Sequence, residues 1–416
     1  MIGRRALLAG TAAGLAGCGR RSRDGAGRVR LRLWYSLGGR NRDVLLEIVK
    51  RFHAQQDDVR VEAVYQGDYF ESLAKLRTAI AAKAAPALSH VVAEVVPYLA
   101  KANALEPLDG YPGMKDIPFV RALAQSGAFR GGEAAPMFGV PLNRSTPLMY
   151  CNGELLAREG LRPPTTWDEL RGMARQLTRP GERWGHEVPI SWWFWVALVG
   201  QAGGQVIEEG GRATLGGEAG VRALRYWQDL VHRDHVMRPP PGRDYDAWNV
   251  TNQDFLGGRA AFIWTSTAYI RYLEDNAKFP VVAAPLPRDV RASVPTGGTF
   301  FVVPREAPGE EKAAAARFLR FVCETEQAAF LAQRTGYLPV TEPAVVRLRE
   351  EGFYAKHPND AVAQAQLASV EPWPWEPNLF RIERDIVDPR LEEAVLLDRD
   401  ASVILADAVH AAQRPG

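Results

Sequence analysis

Few residues in this sequence have the types and spacing to do chemistry, and their pattern suits holding a molecule better than cutting one. Glu94 stands in "HVVAEVV", residues 90–96, between two pairs of valines. A lone carboxylate in such company is expensive to bury unpaired, so a cleft or a polar partner is implied, and there Glu94 can accept protons from hydroxyl groups. In "SWWFW", residues 191–195, three tryptophans occupy five positions. On a helix Trp192 and Trp195 share a face at i, i+3 and read as an aromatic wall for C–H groups or a cation, with ordinary core packing as the alternative, while Trp193 packs inward. Asp168 and Glu169 are adjacent acids, but Thr166 three residues before Glu169 makes a capping box, and the acids serve the dipole of a new helix. His232 and His235 have the spacing of one helix face; the other histidines are scattered, and no metal site is read. No Gly-x-Ser-x-Gly elbow is present.

The start, "MIGRRALLAGTAAGLAGC", has Arg4 and Arg5 before an apolar stretch from Ala6 to Ala16. That stretch is shorter than the roughly 20 residues of a membrane span and has the order of an export signal over residues 1–17. Leu-Ala-Gly-Cys resembles a bacterial lipobox, which implies lipid on Cys18 and a membrane-anchored protein in the periplasm or at the cell surface. The paired arginines also resemble a twin-arginine export signal. Residues 18–28 read as a polar tether. Cys151 and Cys323 remain, too few for a disulfide scaffold, and read as buried thiols. Lys plus Arg number 51 against 49 Asp plus Glu, a formal charge of +2 with no block of like charge, so nucleic acid is excluded as a partner. About 400 mature residues exceed what one core serves, and two lobes are expected.

Val29, Leu31, Leu33 and Tyr35 alternate with other residues as in a strand, and Leu45, Ile48, Val49 and Phe52 follow at helical spacing. The run Val59 to Tyr65 alternates again, and Leu73, Leu76 and Ile80 mark a second helix. Strand, helix, strand, helix implies an α/β fold with mainly parallel sheets flanked by helices, in which ligands sit beyond the carboxyl ends of strands. Tyr69 and Glu94 lie near such ends, as does Ser36. The stretch 309–339 reads as a helix pair closed by Gly336, and "MRPPPGRD", residues 237–244, as a surface loop.

The order of "FGVPLNRSTPLMYCN", "PPTTWDEL", "FLGGRAAFIWTS", "PLPR", "GGTFFVVP" and "TGYLPV" resembles the extracytoplasmic solute-binding proteins of ABC importers, sugar-type group, over nearly the whole mature chain. "WYS", "YQGDY", "NRSTP", "REEGFYAKHPND" and "RDIVDPRLEE" are most similar to the glycerol-phosphate receptors of that group. The resemblance implies a two-lobed type II periplasmic-binding-protein fold with a ligand cleft between the lobes. One lobe is expected from residues 29–142 with about 265–340, the other from 143–264 with about 341–416. It further implies a monomeric receptor that closes on sn-glycerol 3-phosphate or a glycerophosphodiester such as glycerophosphocholine and delivers it to a permease driven by an ATPase subunit. A neutral oligosaccharide of maltose or trehalose type is the alternative solute.

By the same resemblance the ligand contacts are Tyr69, Glu94, Ser145, Ser266, Gly298, Tyr337 and Arg384, with Trp192 and Trp195 as the wall, and no cofactor. Arg384 offers a planar fork to phosphate oxygens, the serines and the Gly298 N–H further donors, and the tyrosines their phenols. Arg144 and Phe300 with Phe301 depart from the family pattern, adding charge and volume. A secreted glycoside hydrolase or phosphodiesterase is the contrasting class. It is disfavoured, because hydrolysis needs a second carboxylate across the cleft or clustered metal ligands, and the implied contacts provide neither.

Overall fold

The computed structural model describes residues 22–125, 136–208 and 211–414. The export segment and Cys18 lie outside the described residues, and with them the first part of the tether. Its last part is not a loose spacer. Arg23 pairs with Glu310 at 3.0 Å, and Asp24 accepts from the Ala26 and Arg28 amides, so residues 22–28 turn back onto the first lobe.

Twelve strands follow in chain order: β1 (Val29–Tyr35), β2 (Val59–Tyr65), β3 (Leu88–Val92), β4 (Val140–Ser145), β5 (Pro147–Asn152), β6 (Trp184–Glu187), β7 (Met237–Arg238), β8 (Ala260–Ser266), β9 (Val281–Ala284), β10 (Val294–Pro295), β11 (Gly297–Val302) and β12 (Val370–Glu371). They form two five-stranded sheets, β2-β1-β3-β11-β4 and β7-β6-β8-β5-β9, with β10 and β12 paired alone. In each sheet four strands run one way, and only the fourth in the order, β11 or β5, is antiparallel to its neighbours. That odd strand is the one arriving from the other lobe: β4 passes through Thr146 straight into β5, and β10 through Thr296 into β11.

The alternation in β1 is borne out, with every odd residue buried, in one core cluster with Leu45, Ile48, Val49 and Phe52 of the helix Gly39–Ala54. The helix pair is also present, as Gly309–Val322 and Thr325–Thr335, closed by Gly336 at φ +99°, a conformation glycine adopts without penalty. Cys151 and Cys323 are separate buried thiols. Two expectations are corrected. The chain does not return to the first lobe at about 265, because β9 pairs with β5 and keeps residues 266–284 on the second sheet. Met237 and Arg238 are not loop but the edge strand β7 beside His186 and Glu187. Among the described residues no helix is long and apolar enough to cross a membrane.

Candidate functional site

The residues implied as ligand contacts lie on or just beyond both sheets. In the first lobe Tyr69 opens the helix Tyr69–Ala81, whose N-cap Asp68 accepts from the Phe70 and Glu71 amides. The Tyr69 hydroxyl accepts from Asn143 Nδ2 at 2.8 Å, and Asn143 also meets the Thr299 hydroxyl. Tyr337 joins this net through Tyr69, Asn143 and Asn41. Gly298 lies beside it at φ +91°, and a Cβ there would stand 1.9 Å from the Asn143 carbonyl oxygen. The local bulge of β11 and the close approach of β4 therefore require glycine. Ser145 ends β4, buried, and Ser266 ends β8, where its hydroxyl accepts from the Ala268 amide at 3.1 Å.

Glu94 follows β3 and is 7% exposed. Burial pushes its carboxyl up to about 7, against the pull of the Arg144 guanidinium. A second carboxylate, Glu383, is raised well above the usual range by burial first and then by the charges of Glu94 and Asp388. Arg384, next in the chain, lies 4.2 Å over the Phe70 ring of the first lobe. Glu94 is thus close enough to interact with Glu383, the residue before Arg384, and Arg384 reaches the first lobe at Phe70. The Arg384 fork is already engaged, however: both terminal nitrogens donate to the Asp244 carboxylate, and Asp388 stands 3.7 Å away.

Arg144 points away from solvent altogether. It is 0% exposed, donates to the Leu123 carbonyl and the Thr296 hydroxyl, and lies 4.7 Å over the Phe300 ring. The departures noted in the sequence, Arg144 and Phe300, are therefore partners of each other behind the site.

The aromatic wall is corrected. Trp192 and Trp195 do share a face of the helix Trp192–Gln201, but it is the core face, and both are 0% exposed. Trp192 stacks on Trp373 with ring centroids 6.1 Å apart, and Trp195 packs by Gly220 of the helix Glu218–Gln228. Trp193 is the partly exposed one. Its indole N–H donates to the Thr296 carbonyl at 3.1 Å, its ring covers Gly297, and it stacks on Trp248 at 5.3 Å. One helical position is a rotation of about 100°, and that rotation exchanges wall for core.

Sequence reasoning missed Trp193, Asn143, Asp244, Tyr245, Trp248 and Glu383. Tyr245 meets Tyr69 edge-on across the lobes at 5.9 Å. The signal for three of them was the run "DYDAW", residues 244–248, directly after the prolines. Thr166 caps its helix by accepting from the Glu169 amide, His232 bonds the Val395 carbonyl at 2.6 Å, and among the described residues no group of three or more histidines, cysteines or acids is placed to hold a metal. A cavity of about 660 Å³ between Trp167, Tyr226 and Asp289 contains none of these ligand candidates.

The side chains gathered here are carboxylates and phenols of the kind that bond hydroxyl groups, a guanidinium already paired with Asp244, and flat rings. Known proteins fit that description. The sn-glycerol-3-phosphate-binding periplasmic protein UgpB of Escherichia coli K12 is 26% identical over 383 residues, covering 86% of each chain. UgpB from Mycobacterium tuberculosis, solved in complex with glycerophosphocholine, superposes with a TM-score of 0.82 at 25% identity, over 93% of this chain and 98% of that one. The GacH receptor of Streptomyces glaucescens, solved unliganded and with acarbose, gives 0.82 at 19% identity over 92% and 97%. The bacterial extracellular solute-binding protein family matches residues 47–359. These relatives are binding proteins rather than enzymes, and the two sheets joined by crossing strands have the type II periplasmic-binding-protein architecture. The chain belongs to the bacterial extracellular solute-binding proteins, in the sugar-type group that hands small molecules to ABC permeases.

Proposed function

We propose that this receptor carries a glycerophosphodiester with a cationic head, glycerophosphocholine being the simplest. One observation carries the choice. Asp244 already pairs both terminal nitrogens of Arg384, Arg144 lies buried behind the site, and Glu94 and Asp388, each raised to about 7, carry partial negative charge at neutral pH, while Trp193, Trp248, Tyr69 and Tyr245 supply rings. A phosphate monoester brings two negative charges into that acidic field. A diester brings one, and a quaternary ammonium offsets it beside ring faces that attract cations by about 0.5–2 kcal/mol. In this reading Glu94, Tyr69 and Tyr337 take the glycerol hydroxyls, and the single charge of the phosphodiester lies beside the Arg384–Asp244 pair. Ser145, Ser266 and the Gly298 N–H add donors, and Trp193 replaces Trp192 and Trp195 as the wall. Binding closes the lobes about the crossings at Thr146 and Thr296. The protein is anchored through lipid on Cys18 and catalyses nothing.

Titration calorimetry at pH 7 with glycerophosphocholine, sn-glycerol 3-phosphate and maltose tests this. The tightest binding is expected for the first, and Glu94→Ala should weaken it at least tenfold, since a hydrogen bond to a charged group contributes about 1.5–3 kcal/mol. Heat from maltose alone overturns the reading. Loss of palmitate labelling in Cys18→Ser checks the anchor.

A further inference from the structure

Asp244 is an odd residue to find where it is. It opens the helix Asp244–Leu256 at φ +51°, in the left-handed region that non-glycine residues seldom occupy, and strain of that kind persists where surrounding structure over-determines it. Its neighbours hold it there. Arg243 on one side pairs with Glu392, and Tyr245 on the other meets Tyr69 of the opposite lobe. The strained residue itself closes a fork-to-fork ion pair with Arg384, the guanidinium that rests on Phe70. A carboxylate in that position presents two oxygens to the nitrogens that two oxygens of a phosphate would otherwise take.

We propose that Asp244 is the charge gate of the cleft: it fills the Arg384 fork in place of an anionic ligand group, so that doubly charged solutes are refused and zwitterionic or neutral ones admitted. The proposal rests on the reading that these residues form the solute site. The physical argument is one of net charge. With Asp244 in place the fork is already neutral, and the Asp388 carboxylate stands 3.7 Å from the same guanidinium. A dianion must displace Asp244 into that field or lie against it, and like charges at contact distance repel strongly where water is scarce. A zwitterion adds no net charge and escapes most of that cost. Rejection by a built-in repulsive group, with no better contact for the favoured solute, is enough to set specificity.

The test is Asp244→Asn, which keeps the shape and removes the charge, measured by calorimetry at pH 8, where phosphate monoesters carry about two charges. Affinity for sn-glycerol 3-phosphate and for inorganic phosphate should rise about tenfold or more, and by a clearly larger factor than affinity for the singly charged phosphodiester of glycerophosphocholine. Adding Arg384→Ala should erase the gain, and Asp244→Glu, which restores the charge, should still refuse the dianions if melting shows it folded. An unchanged affinity for both phosphates in Asp244→Asn overturns the gate, as does an equal gain for maltose, which signals a loosened cleft. If the variant gains inorganic phosphate while neither protein binds glycerophosphocholine, the gate stands and the choice of solute falls. If wild type binds glycerophosphocholine and the variant gains nothing, the reverse holds.

Discussion

The two lobes share a sheet order yet present their cleft residues by different means. In the first lobe the groups stay next to the sheet: Tyr69 opens the helix a few residues after β2, Glu94 sits in the short turn directly after β3, and Asn143 lies within β4. In the second, Ser266 alone ends a strand, and the rest come from helices: Trp193, Asp244 and Tyr245 from first turns, Trp248 from the next, and Arg384 from the π-helical turn Ile382–Val387. A strand end aims its side chain by the pleat, with a period of two that a one-residue shift reverses. A helix start aims by rotation, and each step of about 100° selects a different neighbour. The first lobe is therefore set by backbone fit and the second by which helical face the core claims.

The sharpest way to break this comparison is the tryptophan pair. Trp192→Ala should destabilise the protein by about 3–5 kcal/mol, because a wholly buried ring leaves a cavity. Trp193→Ala should cost far less stability and instead lower solute affinity about tenfold, within the range of a cation held on a ring. Chemical denaturation and calorimetry on both variants separate the two. If Trp192→Ala melts normally and loses the solute, wall and core have been exchanged.

The first lobe breaks at its backbone. Gly298→Ala demands a left-handed alanine with its Cβ against the Asn143 carbonyl, and a loss of about 3 kcal/mol is expected in denaturant. An unaltered midpoint removes the claim that this approach fixes the Tyr69–Asn143–Tyr337 net.

Proton linkage sharpens the contrast next, because buried ionisable groups lie in both lobes. Glu187, on β6, is wholly buried 4.0 Å from Arg238, and burial first, then Asp254, pushes its carboxyl up to about 8. An acid with a raised pKa holds its proton more tightly folded than unfolded. Its contribution is therefore full below about 4.5 and is lost as pH climbs to about 8. Glu94 and Asp388, each raised to about 7, act in the same sense. His90 and His186 act oppositely: burial lowers both to about 3, so their contribution is present above about 6.5 and is lost as pH falls toward 3. Stability should decline on both flanks. Glu187→Gln should relieve the alkaline flank by on the order of 1–2 kcal/mol, with little difference from wild type at pH 5. Melting across pH 4–9 checks it, and an unchanged alkaline slope in the variant assigns that flank to other groups.

Much of the first lobe was legible. Alternation in β1 and β2 and the helical spacing of Leu45 to Phe52 fixed the elements, and a lone carboxylate among valines at a strand end marked Glu94. The second lobe was legible as elements but not as a surface. The i, i+3 pairing of Trp192 with Trp195 was correct, but periodicity states which residues share a face, not what covers it. The covering groups, Trp373 and the helix Glu218–Gln228, come from distant sequence. Arg384 came from family likeness, and no local pattern announces that Asp244, 140 residues away, occupies its fork. Ion pairs across such separations depend on how the chain returns, as does the stay of β9 on the second sheet.

Helix starts in the second lobe also include one that serves no solute, and it yields the smallest effect. Thr166 accepts from the Glu169 amide at 3.2 Å, while the Glu169 carboxylate accepts from the Thr165 amide and hydroxyl at 2.7 Å each. Thr166→Ala removes one acceptor and leaves the other two contacts, so the loss should fall near the low end of the capping range, about 0.5–1 kcal/mol. Solute affinity should not move, because this helix start lies with Trp167 and Tyr226, away from the ligand candidates. A variant of normal stability with weakened binding would instead bring the adjacent acids Asp168 and Glu169 into function, and the division between helix starts that face the solute and those that only begin a helix would have to be redrawn.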